Sequence, residues 1–484
     1  MSKHPTPLAL SASSTKRLHP SVTVPSYDRS LLRPSVVHVG VGGFHRAHLA
    51  TYIHELCDMG ETEWAIRGAG VLPTDATMAE VLAAQDHLYT LITRGPDATD
   101  VDVIGSIVDY IHAAANPQTL IDAIASPTTQ IVSLTVTEGG YPVDLAGEYL
   151  DTSPNAGRTS AFGILAAGLE QRRLNGGRPM TVLSCDNVIG NGGVARTATI
   201  GEAHRFGSDL VSWIETNVSF PNSMVDRITP ATTDADRAWL ADTRGLTDRW
   251  PVVTEPFRQW VIEDEFAGDR LPIDALDILA TTDVEPYELM KLRLLNAGHS
   301  CLAYLASLDG IETVDAALAA DHLHSFTRSF LVREAQPVLP PIVGIDVDAY
   351  IDTLLARFAN PNIGDQISRL CLDGTAKFPK FLLPTVRAQL AAGGPVGLSA
   401  LALAGWCEYL TGPSGRLAAD PLLDEAVHRA KKSQSEPTAF LEFPEVFDDD
   451  LIRNEPFVAA FTDALGLIRE RGVPSAIEAA LEEG

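Results

Sequence analysis

The sequence predicts an α/β fold in which a doubly wound, mostly parallel sheet is followed by a mainly helical region. Three observations carry this reading. Short β-rich runs alternate with helix-period segments through the first 285 residues and then give way to helical patterns. A Gly40-x-Gly42 turn lies directly between the first strong strand and a helix. A length of 484 residues exceeds what one hydrophobic core ordinarily spans. The pattern is that of a Rossmann-like dinucleotide-binding domain over residues 31–285 and a mainly α-helical domain over residues 286–484.

Taken in order, residues 1–30 are Ser/Thr/Pro-rich and are expected to form a flexible tail. Strand candidates follow at 36–43 (VVHVGVGG), 64–71 (WAIRGAGV), 87–94 (HLYTLITR), 129–137 (TQIVSLTVT), 180–187 (MTVLSCDN), 225–230 (VDRITP), 250–256 (WPVVTEP) and 277–284 (DILATTDV). Several are apolar along their whole length, as strands covered on both faces must be. Between them lie helix-period stretches such as RAHLATYIHELCDM and GRTSAFGILAAGLEQRRLNG. Pro286 suits the first turn of a long helix that stops near LDG at 308–310, and VGLSALALAGWCEYL supplies a further apolar helix.

Composition narrows the function classes. Hydrophobic residues at 45% and charged residues at 20% describe an ordinary globular chain. The 36 basic against 63 acidic side chains give a net charge of -27, a field that repels phosphate backbones and anionic bilayers, so neither nucleic acid nor membrane is an expected partner. The five cysteines show no CxxC spacing, and no run has the length of a signal-peptide core or a membrane span. A reducing, cytoplasmic setting is expected.

The candidate cofactor-binding stretch is Gly40, Val41, Gly42, Gly43, Phe44 and His45. Gly40 would make the tight turn, and Gly42 would let the backbone approach a pyrophosphate at the helix N-terminus. His45 stands where a third glycine is usual. His45 and His48 could be read as metal ligands, but no third ligand of matching spacing follows, and packing beside the loop is the preferred reading. Asp75 is the acid nearest the end of the second strand and would meet the ribose of NAD, or else cap the helix beginning at ATMAEV. Arg67, inside that strand, keeps NADP open.

In KLRLLNAGHS, regular α spacing places Lys291, Asn296 and His299 within an arc of about 140°, with His299 between the other two, so one helix face can present all three. Gly298 within the helix costs about 1 kcal/mol against alanine, which suggests a close approach there. Oxidising an alcohol without a metal needs a base for the hydroxyl proton and donors for the developing oxyanion. A lysine whose pKa is lowered well below its ordinary value of about 10.4 by burial can be that base. The alternative is a lysine that snorkels to solvent beside two buried polar residues satisfied by backbone.

The Lys-x4-Asn-x2-His spacing resembles the signature of the polyol-specific long-chain dehydrogenases, the zinc-independent mannitol dehydrogenase family. GVGGFHRAH, SLTVTEGGY, SCDN, SFPNSMVDRITP, EPFRQWVIED and DGTAKFPKF resemble further family motifs in family order, from about Leu32 onward. The resemblance implies that Lys291 is the general base, that Asn187 and Asn296 stabilise the oxyanion, and that His299 binds substrate hydroxyls. It further implies polyol contacts from Asp226, Arg369 and Lys377, a proton relay through Glu288, and Thr137 and Glu138 beside the nicotinamide end of NAD. A structural Asp226–Arg227 pair and solvated helix charges are the alternatives for these outer residues. The reaction implied is the NAD-dependent interconversion of D-mannitol and D-fructose, with arabinitol, sorbitol or a hexuronate as other substrates, in a monomer or weak homo-oligomer. A cofactor-binding sensor that has lost the reaction is the rival from another class.

Overall fold

The computed structural model describes residues 7–144, 147–413 and 417–482. It divides into two compact units, Met1–Glu285 and Pro286–Gly484.

Unit 1 is organised by a six-stranded, all-parallel sheet whose core strands one to six are Pro34–Val39, Ala65–Gly70, Ile107–His112, Ile131–Leu134, Met180–Ser184 and Val218–Ser219. Their spatial order is six-five-four-one-two-three. The chain therefore winds outward from strand one to strand three, then restarts at strand four on the other side, which creates the switch point at which such sheets bind ligands. Both faces are covered, which explains the continuous apolar runs. Val36 and Ile66 pack with Leu49, Ile53 and Leu56 of the helix Leu49–Asp58. Val37, Val39, Val132 and Leu134 pack with Phe162, Leu165 and Leu169 of the helix Ala161–Leu174. The latter helix starts where the Ser160 side chain accepts the Gly163 N–H.

Not every strand candidate joins this sheet. HLYTLITR supplies Tyr89–Arg94 and WPVVTEP supplies Val252–Thr254, both in a separate four-stranded sheet with Thr99–Ile104 and Val22–Thr23. VDRITP contributes to Ser223–Asp226, in a three-stranded sheet with Gln259–Glu263 and Leu279–Thr281. The expected flexible tail is, from residue 7, tied into unit 1: Leu8–Ala9 pairs with Leu246–Thr247, Val22–Thr23 pairs with Val101 and Asp102, and Leu10 and Val22 are buried. Short strand pairings and two buried anchors hold a segment whose composition alone suggested a flexible tail.

Unit 2 is helical. Gly397–Leu410 is buried on nearly every side, as its all-round apolar sequence requires, and packs against Ala297–Leu308 and the long segment Glu455–Glu482, which breaks at Gly472 with φ +81°. No helix among the described residues is long and apolar enough to cross a membrane.

Candidate active site

At the end of core strand one the backbone turns through Gly40 at φ +97°, where an added Cβ would lie 2.1 Å from the Thr135 carbonyl oxygen, so conformation and space both demand glycine. The Gly40 N–H donates to Ala69 O (2.8 Å) and the Gly42 N–H to Gly40 O (2.7 Å). Beyond Gly42 the space is open: an added Cβ would meet nothing closer than Gly40 O at 3.9 Å. The helix Gly43–Ala47 begins here, and its first-turn N–H groups at Gly43, Phe44 and His45 have no carbonyl within the helix to meet. Val41 turns inward and is buried.

His45 occupies the place of the third glycine by packing. Its ring stacks on His38 of strand one with centroids 3.4 Å apart and planes 10° from parallel, and neither ring nitrogen has a hydrogen-bond partner. Burial holds its pKa well below the usual imidazole range. Only its backbone N–H is thus available to an anion at this loop. His48 also packs, donating from Nε2 to Gln259 O (3.0 Å) and meeting Tyr52 and Trp260 edge-on; since Gln259 O can only accept, Nε2 carries the proton. Asp75 stands against Gly70 at the end of strand two, and its carboxylate accepts the Leu72 N–H (2.8 Å). It makes no side-chain cap to the helix Ala76–Ala84. The Arg67 guanidinium is engaged by Asp109 at 2.9 Å.

Thr137 follows strand four with φ +65° and ψ 164°, a state rarely adopted by residues other than glycine, and Glu138 opens the short turn Glu138–Gly140. Both are exposed, as is Asn187 just beyond strand five. One buried side chain joins these strand ends. The Asp186 carboxylate accepts N–H bonds from Val136 (3.1 Å) and Thr137 (2.8 Å) and the Tyr141 O–H (2.7 Å). Asp226 closes the strand Ser223–Asp226 and is buried, while the Arg227 guanidinium beside it donates to the carbonyls of Glu255 and Ala47.

In unit 2 the lysine helix departs from the uniform α geometry expected of it. Glu285–Met290 is α, Lys291–Asn296 is a π-helix, and Ala297–Leu308 is α again. Under α spacing Lys291 and Asn296 would stand about 140° apart. The i→i+5 register instead sets residues five apart on one face, and His299 follows Asn296 by three, on the same side. Leu292, Leu294 and Leu295 are buried, while Lys291 and Asn296 are half-buried. Glu288 is buried three residues before the lysine, and the His299 ring stacks on Phe358 at 3.9 Å.

Near Gly298 an added methyl group would touch Leu331 and Phe358 at 3.4 and 3.7 Å, ordinary contact rather than the close approach expected. The Lys377 Nζ donates to Leu370 O (3.1 Å), and burial, then the charge of Arg369, lowers its pKa. Arg369 forms a two-pronged pair with Asp365, at 2.7 and 2.5 Å.

Residues 34–275 match the mannitol dehydrogenase Rossmann domain and residues 283–468 the mannitol dehydrogenase C-terminal domain. The chain belongs to the mannitol dehydrogenase family. The mannitol 2-dehydrogenase of Cereibacter sphaeroides is 43% identical over 474 residues, covering 94% of this chain and 98% of that protein. The Pseudomonas fluorescens mannitol 2-dehydrogenase, solved as a ternary complex with NAD and D-mannitol, superposes with a TM-score of 0.89 at 38% identity, over 99% of this chain and all of that one (100%). A D-sorbitol dehydrogenase in substrate-free form gives 0.88 at 33% identity, over 97% and 100% of the two chains. Membership of the mannitol dehydrogenase family makes the chain an oxidoreductase of the polyol dehydrogenase class, as the resemblance in its motifs implied.

Sequence reasoning singled out the lysine helix and the glycine loop but passed over Asp186 and Phe358. SCDN was read for its asparagine alone. Nothing in the sequence marks Phe358 as the partner of His299.

Proposed function

We propose that the protein is a zinc-independent, NAD-dependent mannitol 2-dehydrogenase that interconverts D-mannitol and D-fructose. The observation that carries this is the π register that puts Lys291 and Asn296 on one helix face, three residues ahead of His299.

The loop of unit 1 fits a dinucleotide: Gly40 makes the turn, Gly42 leaves the approach open, and the N–H groups of Gly43, Phe44 and His45 face outward at a helix start. Asp75 would take the ribose, which favours NAD over NADP since Arg67 is paired with Asp109. Thr137 and Glu138 would stand at the nicotinamide end. When bound, NAD supplies the hydride acceptor and, in its reduced form, the donor for the reverse reaction.

Lys291 takes the proton of the substrate hydroxyl, and Glu288 passes it on toward solvent. Asn296 and Asn187 donate amide N–H bonds to the oxygen as its negative charge grows, where such donors are worth most. His299, held flat against Phe358, orients a neighbouring hydroxyl. Asp226, Arg369 and Lys377 bind the rest of the polyol. The pairing of Arg369 with Asp365 favours a neutral polyol over a hexuronate.

The likeness to a D-sorbitol dehydrogenase supports sorbitol as the second substrate to test. Turnover of mannitol, sorbitol, arabinitol and mannonate with NAD and with NADP should rank mannitol with NAD first. Lys291→Ala should lower kcat by about 100- to 10,000-fold while NAD still binds. Near-normal turnover in that variant would overturn the assignment.

A further inference from the structure

The turn at Thr137, just beyond core strand four, is a strained point of unit 1. At φ +65° and ψ 164° a threonine occupies backbone space that essentially only glycine enters freely. Such a conformation persists only where its surroundings over-determine it. The Gly140 N–H donates to Thr137 O (2.9 Å) and the Asn155 amide to Gly139 O, and one buried side chain anchors the start of the turn: Asp186 accepts the N–H of Thr137 itself, the N–H of Val136 and the Tyr141 hydroxyl, whose oxygen also shares a hydrogen bond with Ser184 (2.6 Å). All three of those side chains are buried, with Asp186 7% exposed, Tyr141 4% and Ser184 0%. The backbone of Asp186 is pinned as well. Asn191 donates its amide to Asp186 O (3.0 Å) and to Ser223 O (2.7 Å) and accepts the Ser223 N–H (3.0 Å). The residue preceding Asn187 is thereby fixed to the strand that ends at Asp226.

We propose that Asp186 is a positioning residue of the dehydrogenase reaction, whose carboxylate holds the Thr137 turn in place and so sets how Thr137 and Glu138 meet the nicotinamide end of the cofactor. This rests on the reading of the chain as an NAD-dependent polyol dehydrogenase. A buried carboxylate with three donors is matched to this task because replacing one oxygen with an amide NH2 turns an acceptor into a donor facing other donors.

The test uses the full chain as Asp186→Asn, Thr137→Gly and the double variant, with kcat, mannitol KM, NAD binding and Tm measured on each. Asp186→Asn should lower kcat by about 10-fold or more with mannitol KM within about 2-fold of wild type. Glycine adopts the turn without strain, so the factor caused by Asp186→Asn should shrink at least about 3-fold in the Thr137→Gly background. Wild-type kcat in Asp186→Asn, equal factors in the two backgrounds, or a loss that only follows Tm would overturn the proposal. If Asp186→Asn does not fold, Tyr141→Phe decides. Removing that one donor should lower kcat by about 2- to 5-fold at unchanged mannitol KM, and an unaltered kcat would overturn the proposal. A wild-type chain that reduces NAD with no polyol overturns the reaction assignment and this proposal together; an active wild type with an indifferent Asp186→Asn overturns this proposal alone.

Discussion

The glycine loop of unit 1 and the lysine helix of unit 2 both leave regular backbone geometry where the chemistry is expected, but by different routes. In the loop the departure is confined to single residues: Gly40 at φ +97° has no room for a Cβ, so the residue type is dictated and the position announces itself. In the helix the departure is collective, since six consecutive residues, Lys291–Asn296, share one π register. Lysine, leucine, arginine and asparagine can all sit in an α-helix, so none of them reveals it. The contrast teaches that a turn with no room for a Cβ is written in the sequence as a glycine, whereas a shifted hydrogen-bond register is written in what surrounds it.

The surroundings of unit 2 include a second π-helix, Phe330–Ala335, and its support is visible. Gln389 donates its amide to the carbonyls of Glu334 (2.6 Å) and Arg333 (3.3 Å). The buried Glu334 carboxylate accepts the N–H groups of Leu398 (2.7 Å) and Ser399 (2.8 Å) and the Ser399 hydroxyl, at the start of the helix Gly397–Leu410.

The comparison can be broken most severely at the loop. Gly40→Ala forces a Cβ to within 2.1 Å of Thr135 O and should cost more than about 3 kcal/mol, with NAD binding lost, as urea unfolding and NAD titration would report. Glu334→Ala leaves buried donors unpaired and should cost about 1–3 kcal/mol in unit 2 with NAD affinity unchanged.

The pH dependence sharpens the same point. Burial pushes the Glu334 carboxyl from 4.5 up to about 7, so the folded state holds its proton more tightly than the unfolded chain does. That contribution to stability is complete below about 4.5 and is lost as pH rises through about 7. Glu334→Gln should flatten the fall in stability across this window, read from urea midpoints at a series of pH values.

Smaller effects follow. Phe358→Leu removes the stack under His299, worth about 0.5–1.5 kcal/mol, and should raise the mannitol KM by about 2- to 10-fold. Gly298→Ala meets Leu331 and Phe358 only at contact distance and should stabilise unit 2 by at most about 1 kcal/mol.

Much of the sheet was legible. Core strands one, two, four and five were recognisable because burial on both faces makes their runs mostly apolar. Strand three, Ile107–His112, was not: as an edge strand it carries half-exposed Asp109 and Tyr110, which interrupt the run. Strand six is only Val218–Ser219, too short for any period. At the site, residue types and spacing pointed to Lys291, Asn296 and His299 on one helix face, but the π register of Lys291–Asn296 was not legible because register is set by tertiary packing. Asp186 escaped notice because its work is done through backbone N–H groups of residues 50 and 49 positions away, Val136 and Thr137, which no spacing rule records.

The central claim is that Lys291 and Asn296 share one face and act on one substrate oxygen. The most direct test is kcat/KM for mannitol in Lys291→Ala, Asn296→Ala and the double variant. Groups acting as a unit predict a double loss close to that of Lys291→Ala alone; losses that simply multiply would contradict the account.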